Sequence, residues 1–129
     1  MKKILVVEDE IVVAMSVEMI LEAEGYAVVL ATDGREGLAL AEQEQPDLII
    51  TDLMMPRMDG MAMLGRLRAA GVTTPAVLTT WIPEGRLLRN PHGPYDVFLG
   101  KPFSDAELIA AVDRLLGAAP PPSTDPRGE

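Results

Sequence analysis

Five short aliphatic runs punctuate the chain: Ile4 to Val7, Tyr26 to Ala31, Leu48 to Asp52, Pro75 to Thr80 and Val97 to Leu99. They lack polar alternation and are rich in valine, isoleucine and leucine, which suits strands covered on both faces, as in parallel sheets. Parallel strands need long crossovers, and the intervals supply helical patterns. Ile11, Met15, Ile20 and Leu21 mark the apolar side of a first helix within Glu10 to Glu24, stopped by Gly25. Asp33-Gly34 opens a second that holds Leu38, Ala39 and Ala41 and ends before Pro46, because the residue preceding proline avoids the helical region. A third turns Met61, Leu64 and Leu67 inward and Arg66 and Arg68 toward water, with Gly71 as its stop. The last begins with the capping-box pair Ser104 and Glu107 and carries Leu108, Ile109, Val112, Leu115 and Leu116 on one broad face. The interval from Pro83 to Pro94 differs, since its prolines leave only Glu84 to Asn90 for a helix, about two turns.

Strands alternating with helices demand a mostly parallel sheet with right-handed crossovers and helices on both faces. The expected fold is therefore α/β, a doubly wound five-stranded parallel sheet with helices on both faces, and the flavodoxin-like order 2-1-3-4-5 is the one taken for it. In that order the winding reverses between strands one and three, and ligands bind outside the strand ends at the reversal. Glu8, Asp9 and Asp52 would converge there.

Of 129 residues, 48% are hydrophobic, which suits one compact domain and leaves little for a second. Residues 1–117 are expected to form it. Residues 118–129 turn to Pro, Ser, Thr and Gly with no apolar period and are expected to be a disordered tail, leaving a domain that stands alone. A formal net charge of −9 argues against a nucleic-acid or anionic-membrane partner. The absence of cysteine excludes disulfides and thiolate metal sites and fits a cytoplasmic location. Glu8-Asp9-Glu10 cuts the first apolar run too short for a signal peptide, and no apolar stretch is long enough to span a bilayer.

Two carboxylates about 4 Å apart repel by roughly 4 kcal/mol at an effective dielectric of about 20, so three in one pocket call for a cation. Oxygen donors without His or Cys select a hard ion, and a few carboxylates plus water match Mg²⁺. Thr80 and Lys101 end strands four and five on the same sheet edge, offering a hydroxyl and a positive charge of the kind a phosphoryl anion needs. An aspartate so placed can act as a nucleophile toward phosphorus.

On these residues the chain resembles a response-regulator receiver domain of two-component signalling. The resemblance runs from about Lys3 to Gly117 and rests on motifs that follow one another along the chain: Glu8-Asp9 after Leu5-Val6-Val7; Asp52 in Asp52-Leu53-Met54-Met55-Pro56-Arg57-Met58-Asp59-Gly60; the hydroxyl ending Pro75 to Thr80; and Lys101-Pro102-Phe103. It implies that Asp52 accepts a phosphoryl group from a histidine kinase or histidine phosphotransfer protein. It also implies that Glu8, Asp9, Asp52 and the Met54 carbonyl hold Mg²⁺, that Lys101 pairs with Asp52 and then with the phosphoryl group, and that Thr80 and Phe98 carry the conformational change. The Lys101-Pro102 bond is expected to be cis. Such a protein is a phosphoacceptor switch, not a turnover enzyme, and needs no organic cofactor.

The first acid is Glu8 where the family commonly has Asp. Counting from Pro75 selects Thr80 as the switch hydroxyl, whereas counting back from Lys101 selects Thr79. With Thr80, Trp81 falls where the family has a small residue, so a partly shielded pocket is expected. An Asp-nucleophile Mg²⁺ phosphatase of the haloacid-dehalogenase type is the alternative, but it needs a second Asp two residues after the first, where this chain has Met54. A flavodoxin-like cofactor binder would want a phosphate-cradling loop after strand one, where this chain has Glu8-Asp9-Glu10. The loop methionines read as pliable packing, His92 as a solvated side chain, and Arg86 and Arg89 as a solvated helix face.

Overall fold

The computed structural model describes residues 1–83 and 93–117. The expected helix Glu84 to Asn90 and the tail 118–129 lie outside the described residues. In chain order the elements are β1 (Lys3–Val7), α1 (Ile11–Ala23), β2 (Ala27–Ala31), α2 (Gly34–Glu44), β3 (Leu48–Asp52), α3 (Gly60–Ala69), β4 (Ala76–Thr80), β5 (Val97–Gly100) and α4 (Asp105–Leu116). All strand pairs are parallel, as the alternating sequence pattern predicts, and they follow the expected order β2-β1-β3-β4-β5. No described helix is long and apolar enough to cross a membrane.

Alternation along each strand divides the core into two layers. Ile4, Val6, Leu48, Ile50, Val77 and Leu99 pack against Val17 and Leu21 of α1 and Leu108 and Val112 of α4. Leu5, Val7, Ile49 and Ala76 face the other way, against Ala41 of α2 and Met63, Leu64 and Leu67 of α3. Burying β3 on both sides explains its unbroken apolar reading, and truncating a fully buried leucine such as Leu48 to alanine would cost about 2–5 kcal/mol. The helix ends follow local chemistry. Ser104 Oγ accepts from the Glu107 N–H at 3.1 Å while Glu107 Oε1 accepts from the Ser104 N–H at 2.8 Å, closing the expected capping box.

Two expectations need correction. The buried stripe of α1 is Ala14, Val17 and Leu21, while Ile11 and Met15 are exposed. This helix is apolar on nearly every side, so its sequence period could not say which side faces the sheet. Arg68 does not point to water either. It donates to the carbonyls of Val72 at 3.0 Å and Pro94 at 3.1 Å, because its place in the last turn of α3 brings the guanidinium to the chain beyond the helix.

Candidate functional site

The strand tips carry the site. Glu8 follows β1, Asp52 ends β3 and Lys101 follows β5, each continuing the row that packs against α1 and α4. The register brings them side by side: Val6 pairs with Ile50 and Asp52 with Thr79, one residue short of the Thr80–Gly100 pair that precedes Lys101. Lys101 Nζ lies 3.0 Å from Glu8 Oε1 and 3.3 Å from Asp52 Oδ2, with all three side chains nearly out of water. Asp9, exposed beside Glu8 on the same loop, completes a cluster in which one carboxylate oxygen from each of Glu8, Asp9 and Asp52 lies within 4.8 Å of the others.

The electrostatics follow from burial. Removal from water pushes both Glu8 and Asp52 above the usual carboxylate range, against the pull of Lys101. For Lys101 burial works in the opposite direction, yet the hydrogen bond to Glu8 and the charge of Asp52 outweigh it and raise its pKa. One ammonium thus neutralises only part of the acid around it. Three oxygen donors so close, with no His or Cys among them, fit a hard divalent cation. Glu8 uses its longer arm to meet Lys101 with one oxygen while the other accepts from the Glu10 N–H at 3.2 Å.

Asp52 is only 7% exposed, and its Oδ1 accepts from the Leu53 N–H at 2.9 Å, which leaves Oδ2 toward Lys101. The same Leu53 N–H reaches the Thr79 carbonyl at 2.9 Å, tying the start of the loop to β4. At the loop's far end the N–H of Gly60, the first residue of α3, donates to the Leu53 carbonyl at 2.9 Å. A β-carbon at Gly60 would overlap the Asp52 carbonyl oxygen, so the close approach of this helix start needs glycine.

Thr79 and Thr80 are both buried but face opposite ways. Thr79 shares the face of Asp52, and its hydroxyl donates to the Thr51 carbonyl at 3.4 Å. Thr80 turns to the other face, where its Oγ1 accepts from the Ile82 N–H at 3.2 Å. Phe98 is half-buried, with its ring tilted against Tyr95 at a centroid distance of 6.4 Å. Met54 is 63% exposed, and Lys101-Pro102 is cis, as expected.

Two features escaped the sequence. Beside Lys101 a groove of about 250 Å³ runs between Trp81 and Phe103 on one side and Val12, Val13 and Ser16 of α1 on the other. Trp81 is 66% exposed, and Ile11, Val12, Met15 and Met19 continue the apolar surface along α1. The second feature joins the loop after β3 to the start of α2. Asp33 caps α2 by accepting from the Glu36 N–H at 2.9 Å, and its other oxygen accepts from Arg57 Nε at 2.8 Å and from Nη2 as well. The Glu36 backbone bond first, and Arg57 second, hold the Asp33 carboxyl below its ordinary range.

The chain belongs to the response regulator receiver domain family, whose model matches residues 4–113. Among individual relatives, it is 39% identical over 117 residues to the alkaline phosphatase synthesis transcriptional regulatory protein PhoP of Bacillus subtilis, covering 89% of this chain and 48% of that protein. It is 38% identical over 120 residues to the response regulator MprA of Mycolicibacterium vanbaalenii, covering 92% of this chain and 52% of that one. The chain thus spans about half the length of the curated relatives it matches. Among solved structures, a Francisella response regulator 1452 receiver domain superposes with a TM-score of 0.85 at 31% identity, covering 91% of this chain and 98% of that one. The Vibrio cholerae chemotaxis protein CheY4 superposes with a TM-score of 0.81 at 31% identity, covering 89% and 98%.

Proposed function

We propose that this domain is a phosphoacceptor switch in which Asp52 takes a phosphoryl group from a phosphohistidine of a histidine kinase or histidine phosphotransfer protein. The observation that carries this reading is the Lys101 ammonium set between Glu8 and Asp52, with Asp9 beside them. A carboxylate oxygen of Asp52 attacks phosphorus. The O–P bond forms as the P–N bond to the donor imidazole breaks, and the imidazole nitrogen keeps the electron pair. Leu53 N–H holds the other oxygen of Asp52, and Lys101 follows the incoming negative charge. Asp9, Asp52, Glu8 and the Met54 carbonyl would hold Mg²⁺, which when bound supplies positive charge to the phosphoryl oxygens.

Thr80 then turns its hydroxyl toward the phosphoryl group, and Phe98 repacks with it. The domain works as a switch of partner binding and not as a turnover enzyme. The apolar surface of Trp81, Val12 and Met15 beside Lys101 suits a protein donor that must bring its imidazole to this edge. Met54 offers no acid for the phosphatase alternative.

Incubation with Mg²⁺ and a small acyl phosphate, read by intact mass, tests the assignment. One phosphoryl group should be gained with Mg²⁺, none with a chelator, and none in Asp52→Asn. A gain that survives Asp52→Asn places the acceptor elsewhere.

A further inference from the structure

We propose that the Asp33–Arg57 ion pair is a latch that fixes the Met54 carbonyl at the candidate cation site, which makes both residues positioning residues. The inference rests on the proposed function, because it gives the Met54 carbonyl a role at that site.

The loop from Leu53 to Asp59 ends at Asp59, whose Oδ1 accepts from the Ala62 N–H at 2.7 Å to cap α3, and it is held at two places before that. Its start is tied down by Leu53, which bonds Asp52 Oδ1, the Thr79 carbonyl and the Gly60 N–H. Its second half is tied to α2, where Arg57 grips Asp33 and the Met58 carbonyl accepts from the Gly34 N–H at 3.1 Å. Between these anchors, Met54 and Met55 make no hydrogen bond among the described residues. The direction of the Met54 carbonyl is therefore inherited from its two flanks. One flank is the sheet itself. The other is held by Asp33, a carboxylate that is itself almost fully buried and already aligned by capping α2, together with the Met58–Gly34 bond and the Asp59 cap.

Arg57 stands in the left-handed region, at φ 68°, which arginine seldom adopts. Glycine would fit that backbone better, so the side chain must contribute something that glycine cannot. Its guanidinium reaches across 24 residues of sequence to one oxygen of Asp33 with two N–H groups. Gly34 completes the seat, since a β-carbon there would overlap the Met58 carbonyl oxygen.

Three variants of the full chain separate latching from capping and from folding. Asp33→Asn keeps an oxygen to cap α2 but loses the negative charge that Arg57 grips. Arg57→Gly removes the guanidinium while easing the backbone. Arg57→Lys restores a cation. Mg²⁺ binding is measured by calorimetry without any phosphodonor, and thermal midpoints are taken in chelator.

Removing partners that orient a ligand typically weakens metal binding about tenfold or more, and about tenfold is expected here for Asp33→Asn and for Arg57→Gly. The double variant should lose no more than either single one, as one interaction removed twice requires. Arg57→Lys should recover part of the affinity, and the chelated midpoint of Arg57→Gly should match or exceed that of the parent. Parent-like Mg²⁺ affinity in both single variants, with the parent binding Mg²⁺ and labelled on Asp52, overturns the latch and leaves the phosphoacceptor intact. A fall in midpoint with Arg57→Gly that tracks its loss of affinity also overturns it, because the pair is then merely structural. Failure of the parent itself to bind Mg²⁺ overturns the metal assignment and the latch with it.

Discussion

The two faces of the sheet end differently. On the face covered by α1 and α4, the rows of Ile4 and Val6, of Leu48 and Ile50, and of Leu99 run upward into Glu8, Asp52 and Lys101. On the face covered by α2 and α3, the corresponding rows of Ile49 and Ala76 end in Thr51 and Thr80, hydroxyls without charge. Strand alternation alone makes the separation, since neighbouring residues point to opposite sides. Under the proposed function the charged face performs the transfer and the hydroxyl face registers it. Thr79 marks the boundary: it lies on the charged face, opposite Asp52, but its hydroxyl is already committed to Thr51.

Substitutions can break or sharpen that division. The largest effect is expected at Lys101→Gln, which leaves buried acid without its cation; labelling by a small acyl phosphate should slow about a hundredfold. A rate within a few-fold of the parent would detach Lys101 from the chemistry. On the other face, Thr80→Val should leave labelling within about threefold but abolish the phosphorylation-dependent change in amide exchange at Phe98, with Thr79→Val changing neither. The reverse result would move the switch to Thr79. At the rim, Trp81→Ala should raise the labelling rate about twofold if the indole shields Asp52, and an unchanged rate would remove that role.

The smallest effect concerns pH. Glu8 and Asp52 have folded-state pKa values above their unfolded ones, so the folded protein binds more protons as the two acids titrate. Their contribution to stability is complete below the unfolded values and is lost as pH rises through the folded ones. Lys101, also raised, keeps its contribution until the solution is strongly alkaline. In chelator, the urea midpoint should therefore be higher near pH 5 than at pH 7.5, and Asp52→Asn should flatten the difference. An equal slope in the variant would assign the effect to other groups.

The parallel sheet and its acidic tips were legible because short β-branched runs broken by Asp52, Pro75 or Lys101 leave few alternatives, whereas the strand order was one choice among those that such alternation allows. The orientation of α1 was not legible, since Ile11, Val12, Val13, Met15 and Met19 make nearly every side of it apolar. Counting from Pro75 and counting back from Lys101 select different hydroxyls, Thr80 and Thr79; the register supplies the face of each. The Asp33–Arg57 pair was hidden for two reasons. Its members are distant in sequence, and Arg57 takes a backbone conformation that its residue type does not advertise.

The grouping of Glu8, Asp9 and Asp52 as a seat for one divalent ion is the claim on which both faces depend, and calorimetric titration of the full chain with Mg²⁺ tests it most directly. The expected result is saturable binding of one ion per chain, severely weakened in Asp9→Asn while the fold, followed by circular dichroism, is kept. Titration heats that never saturate, or an Asp9→Asn protein that binds as the parent does, would contradict it.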